Sequence, residues 1–87
     1  MTIAFPSVEA WDANRGVVAF PADVNGKRVH CAISWEALQD NFDGNDVAPL
    51  DCFRANRGAI EAKAESFIRH GRSEPDGSIL IRSQDGP

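Results

Sequence analysis

The sequence predicts an α+β domain of two layers, a small antiparallel sheet with two helices packed on one face. Three observations predict it. Asn25-Gly26 is a strong signal for a two-residue hairpin loop, because a type I′ turn needs positive φ at both central residues. Apolar residues alternate with period two on either side of that loop, and two later stretches carry them at helical spacing. The order strand, strand, helix, helix, strand, with hairpin and helices in separate runs, is that of an α+β fold.

The loop sets the register. Val24 faces Lys27, Ala22 faces Val29, Phe20 faces Cys31 and Val18 faces Ile33. Val18, Phe20, Ala22, Val24, Val29, Cys31 and Ile33 then lie on one face, since strand side chains alternate. The first strand is expected over residues 16–24 and the second over 27–33. Pro21 cannot donate to a ladder, which favours an edge position or a local irregularity there. Residues 1–11 read as an irregular or extended lead-in, with Ile3 and Phe5 at period two ahead of Pro6. Residues 12–16 are rich in turn formers, and Trp11 is a candidate for a short strand folding back on residues 17–20.

Ser34 is suited to cap a helix over residues 35–42, whose stripe is Trp35, Leu38 and Phe42. Asp43-Gly44 ends it, with Gly44 available for a left-handed cap. A single longer helix is expected over residues 49–70, opening on Pro49 and striped by Phe53, Ile60, Ala64 and Phe67. Gly58 lies inside it, costs about 1 kcal/mol relative to alanine, and falls away from the stripe. Gly71 is a stop signal. Residues 74–77 read as a turn, 78–82 as a last strand with Ile79 and Ile81 inward, and 83–87 as a frayed tail.

A chain of 87 residues makes one domain. The net charge of -4 argues against a general nucleic-acid binder, which needs a basic footprint. The helices are also separated by a longer, more acidic loop than the roughly three to four residues of a helix-turn-helix. No apolar run approaches the roughly 18 residues of a membrane span. Residues 1–5 lack the basic and apolar regions of a secretory signal, so the expected location is cytoplasmic. Cys31 and Cys52 are then expected as reduced, buried thiols.

No catalytic, cofactor or metal motif stands out. Cys31 and Cys52 with His30 and His70 lack zinc-site spacing, and adjacent His30 and Cys31 on a strand point to opposite faces. Residues 41–46 resemble a calcium loop only superficially: with Gly44 at the invariant glycine, Gln39 and Leu50 fall where acids belong. Ser34 is accounted for as a cap, and neither cysteine has a base beside it.

Two features are left. With Phe53 at the stripe centre, Arg57 falls about 40° to one side and Asn56 about 60° to the other, at about 100° per residue. Arg57 is expected to pair with an acid such as Asp12 or Glu36, and Asn56 to tie down a loop; the alternative is a pocket for a small anion at Arg54, Asn56 and Arg57. The second feature is the outer sheet face, where Val17, Ala19, Ala32 and Leu80 point away from the helices, with Arg28 and His30 at the far end. Either Ile3, Phe5 or Trp11 covers that face, or it meets a second copy or another protein.

The series Phe5-Pro6, Val18-Ala19-Phe20, Asn25-Gly26, Cys31-Ala32-Ile33-Ser34 and Glu36-Ala37-Leu38, then Phe53 to Arg57, Ile60-Glu61 and Ala64, resembles a small bacterial family, Domain of Unknown Function family 1488. The resemblance covers nearly the whole chain. It implies a free-standing α+β protein of bacteria and brings no activity, so no catalytic or binding residue carries over. The expected function is association with itself or with another protein. The alternatives are a small anionic ligand, or a minor enzyme, at Arg54, Asn56 and Arg57, with nucleic-acid binding last.

Overall fold

Asn25 and Gly26 have φ of 51° and 81° in the computed structural model, which describes residues 1–87. These are the two left-handed residues a type I′ turn requires. The hairpin they close joins β3 (Val17–Val24) to β4 (Lys27–Ser34), with Val24 opposite Lys27, Phe20 opposite Cys31 and Val18 opposite Ile33. The register is the one the sequence predicts.

The lead-in contributes two short strands, β1 (Ile3–Ala4) and β2 (Ala10–Asp12), both antiparallel to β3 along its other edge. β1 pairs with Val24 and Asp23, and β2 with residues 17–19. The edge is interrupted opposite Pro21. By the alternation of an antiparallel ladder, the Pro21 nitrogen points away from β4 toward this gap, where a strand would find no donor. The Asn25 amide donates to the Thr2 carbonyl (2.8 Å) and the Thr2 amide to Asn25 Oδ1 (3.0 Å), which fixes the start of the chain.

Ser34 caps α1 (Trp35–Asn41), its hydroxyl accepting from the Ala37 amide at 3.1 Å. The α1 exit differs from expectation: Asp43, at φ 55°, takes the left-handed conformation, not Gly44. Gly44 is needed for space, since a Cβ there would lie 2.8 Å from the Leu38 carbonyl oxygen.

The long helix predicted over residues 49–70 is two helices, α2 (Pro49–Ala55) and α3 (Arg57–Arg69), with Asn56 between them at φ -119° and ψ 18°. The apolar stripe continues through the break, so periodicity does not reveal it. Gly58 therefore stands in the first turn of α3 rather than in the middle of one long helix. At the far end Gly71 (φ 69°) forms a Schellman motif: Arg72 N–H donates to the Phe67 carbonyl (2.9 Å) and Gly71 N–H to that of Ile68 (3.2 Å).

β5 (Ile79–Ile81) joins the sheet beside β4 and parallel to it, giving the order β1-β3-β4-β5 with β2 also on β3. The sheet is thus mixed, where an all-antiparallel one was expected. The helices between β4 and β5 form the crossover that a parallel pair needs. The tail expected to fray instead makes a 3-10 turn, Ser83–Asp85. Asn41 donates to the Ser83 carbonyl (2.9 Å), Arg72 binds Asp85 (3.1 Å), and Lys63 donates to the carbonyls of Asp85 (2.6 Å) and Pro87 (3.1 Å).

Between sheet and helices lies one core of 15 buried residues. Phe53, Ile33, Leu38, Ile60, Ile81 and Val18 are fully enclosed in it, and Phe53 meets Phe20 at 5.1 Å between ring centroids. No helix is long and apolar enough to cross a membrane.

Candidate functional site

Residues paired across a ladder point to the same face. Ile3 is paired with Val24 and Trp11 with Val18, so both lie on the helix side. Trp11 meets Trp35 edge-on, with centroids 6.2 Å apart, and Phe5 packs against Phe20 at 6.3 Å. The three residues available to cover the outer face thus all turn to the inner one. Of the four outer residues singled out in the sequence, Val17 and Ala32 are buried outside the core cluster, while Ala19 and Leu80 are half-buried.

The same face carries a cavity of about 410 Å³. Its apolar side is formed by Val8, Ala10, Ala19, Pro21 and Ala32, and its polar side by Arg15, Arg28, His30 and Ser78. Those four polar residues also line a second cavity of about 350 Å³, together with Asp76 and Gly77. The strands deliver Ala19, Pro21, His30 and Ala32 by period two, Arg28 follows in the same phase, and Arg15 reaches in from the β2–β3 turn.

Charge on this face is unevenly matched. Arg28 Nε donates to Asp23 at 2.7 Å, a pair directly across the hairpin. The Ser78 hydroxyl and amide donate to Asp76 (2.6 and 2.9 Å) and hold its carboxyl below the usual range, with a further contribution from the charge of Arg15. The Arg15 guanidinium has no carboxylate within 4.0 Å, although the Arg15 backbone amide donates to Asp12 Oδ1 at 3.2 Å, whereas the guanidinium groups of Arg28, Arg54, Arg57, Arg69, Arg72 and Arg82 each have one. Sequence reading placed Arg15 only in a turn; nothing local marks it, because its distinction is the absence of a partner.

The other predicted cluster does not converge on a pocket. Arg54 Nε donates to one oxygen of Glu9 at 2.7 Å and Arg57 Nη2 donates to the other. The expected partners of Arg57, Asp12 or Glu36, are replaced by Glu9, which the loop between β1 and β2 brings to α2 and α3, with Glu61 3.6 Å from Arg57 Nη1. The Arg57 guanidinium also stands 5.1 Å from the Phe53 ring centroid. Asn56 points elsewhere, donating to the carbonyls of Cys52 (2.9 Å) and Phe42 (3.4 Å). Glu9 therefore takes the position an anionic ligand would occupy.

His30 is exposed on the outer face and Cys31 is buried on the inner one. Burial pushes the Cys31 thiol up to about 12 and raises that of Cys52, so neither is a thiolate near neutral pH. No three His, Cys, Asp or Glu side chains are grouped to hold a metal ion.

Comparison with known proteins places this architecture. A family model described as "Protein of unknown function (DUF1488)" matches residues 3–81. The chain is 41% identical over 80 residues to "Uncharacterized protein YrdB" of Escherichia coli (strain K12), covering 91% of this chain and 94% of that one. It is 40% identical over 80 residues to the protein of the same description from Shigella flexneri, with the same coverage. A crystal structure of a protein of unknown function from the DUF1488 family of Shewanella loihica PV-4 superposes with a TM-score of 0.83 over 91% of this chain and 90% of the other. At 24% identity that likeness shows the fold. The chain belongs to the DUF1488 family.

Proposed function

We propose that this member of the DUF1488 family is a non-catalytic binding protein whose working surface is the outer face of the sheet, and that the occupant of that face is a protein, either a second copy or another bacterial protein. One observation carries the reading: Ile3, Phe5 and Trp11 all turn to the helix side, leaving Leu80 only half-buried on the outer face and Ala19 half-buried at a cavity of about 410 Å³. An apolar surface left open in this way is characteristic of interfaces. A cytoplasmic setting fits the two free, buried thiols. Nucleic acid is disfavoured by the net charge of -4 and by the pairing of most arginines with carboxylates. An anion at Arg54 and Arg57 would have to displace Glu9 from both.

The test compares the wild-type chain with Leu80→Glu. Sedimentation at high concentration reads self-association, and affinity capture from the native host with mass spectrometry reads other partners, with circular dichroism confirming that the variant folds. Association present in the wild type and lost in the variant is expected. A wild-type monomer whose co-purifying proteins are the same as the variant's would sink the reading.

A further inference from the structure

We propose that the outer-face cavity receives an extended acidic segment of a protein partner, with Arg15 as the residue that takes its carboxylate. This rests on the reading of the outer face as the working surface.

Unpaired charge gives the first reason. Six of the seven arginines have a carboxylate within 4.0 Å of the guanidinium and Arg15 does not, in a chain with 13 acidic residues. A guanidinium suits a carboxylate because its planar fork can bond both oxygens. Arg28 and His30 border the same cavity, and Arg28 has guanidinium nitrogens beyond the Nε that Asp23 uses. The acids nearby are already engaged: Asp12 accepts from the backbone amides of Asn14 and Arg15, Asp23 from Arg28 and Asp76 from Ser78.

The layout gives the second reason. An apolar compartment over Ala19, Pro21 and Ala32 adjoins a polar one over Asp76 and Gly77, and Arg15, Arg28, His30 and Ser78 border both. An occupant therefore needs an anionic group next to an aliphatic one. An extended chain presents this when acid and apolar side chains sit at i and i+2, roughly 7 Å apart on one side. Val8, on the rim, is 60% exposed, so the cavity is open there and admits a chain that continues beyond it.

The probe is an acetylated peptide that alternates serine with glutamate, leucine and glutamate, titrated into the isotope-labelled chain and followed by amide NMR shifts. Shifts clustered at Ala19, His30, Ala32 and Ser78 are expected. Arg15→Glu should bind about tenfold more weakly or worse, Arg15→Lys should recover part of the loss, and Arg69→Glu, which changes net charge equally but lies on α3, should leave binding unchanged. The proposal is overturned by shifts elsewhere or none at all, by equal weakening in Arg69→Glu, or by equal binding of a peptide with lysine in place of glutamate. Tighter binding of octanoate to the same amides also overturns it, assigning the cavity to a small amphipathic anion. If Leu80→Glu abolishes partner capture while Arg15→Glu does not, the working face stands and the acidic occupant falls. If neither changes capture, the working face itself falls.

Discussion

Glu9 and Arg57, 48 residues apart in sequence, are joined by a direct hydrogen-bonded ion pair, and the second oxygen of Glu9 is held by Arg54 at 2.7 Å. One carboxylate thereby clamps the loop between β1 and β2 to the junction of α2 and α3. The Glu9 side chain is only 9% exposed, and Arg57 Nη1 is buried without a hydrogen-bond partner, with the Glu61 carboxylate 3.6 Å away.

The clamp is pH-dependent with a fixed sign. The hydrogen bond from Arg57, then that from Arg54, holds the Glu9 carboxyl below its ordinary 4.5. A carboxyl lowered on folding stabilises fully above its unfolded value, and that contribution disappears as pH falls through the lower folded value. Glu9→Gln is expected to lower the melting temperature near neutral pH. The gap to the wild type should narrow below a pH of about 4.5 and close at the acid end. Thermal unfolding across a pH series checks it, and a gap independent of pH would contradict it.

Gly44 and Gly58 should respond to alanine with opposite sign. A Cβ at Gly44 would sit 2.8 Å from the Leu38 carbonyl oxygen and 3.1 Å from Cys52 Sγ. The nearest of these is backbone and cannot turn aside, so Gly44→Ala should cost about 1–3 kcal/mol. A Cβ at Gly58 meets nothing within 4 Å, and the residue is exposed in a helical turn. Gly58→Ala should stabilise by about 0.4–1 kcal/mol, mostly by restricting the unfolded chain. Urea titration of both variants reads the two signs.

Cys31 and Cys52 should be silent toward thiol reagents while the chain is folded. Both are buried, at 3% and 2% exposure, and burial pushes Cys31 up to about 12. Alkylation by iodoacetamide under native conditions should be slow for both and become rapid in denaturant, since the thiolate is the reacting form. Fast native labelling of Cys31, counted by mass spectrometry, would contradict its burial.

Local rules made the hairpin and the α1 cap legible. Asn25-Gly26 fixes a loop length, period two fixes the faces, and Ser34 lies one residue before an apolar helical stripe. The parallel placement of β5 was not legible, because it follows from how three helices carry the chain from β4 back to that edge. The partner of Arg57 was equally hidden: Glu9, Asp12 and Glu36 are all acids in the sequence, and only the path of β1 and β2 selects among them. Outer-face residues were readable as a phase along the strands. The cavity was not, because Val8, Arg15 and Ser78 come to it from a loop, a turn and the segment leading into β5.

Asn56 is where the apolar stripe and the backbone disagree, and its side chain accounts for the break between α2 and α3. Its Nδ2 donates to the Cys52 carbonyl at 2.9 Å and to the Phe42 carbonyl at 3.4 Å, tying the end of α2 to the exit of α1. Alanine has the better helix propensity, by about 0.6 kcal/mol, which alone would favour one continuous helix. Against this, each lost hydrogen bond costs about 0.5–1.5 kcal/mol, and the Phe42 carbonyl keeps only the weak Cys52 thiol donor at 3.4 Å. The second effect is larger, so Asn56→Ala should destabilise by about 1 kcal/mol. Asn56→Asp should be worse than alanine, since a carboxylate of nearly the same shape brings acceptor oxygens against two carbonyls with no proton to give. Urea unfolding should therefore rank the midpoints asparagine, alanine, aspartate. An alanine variant at or above the wild type would mean that the break is imposed by packing around Phe53 and not by the Asn56 amide.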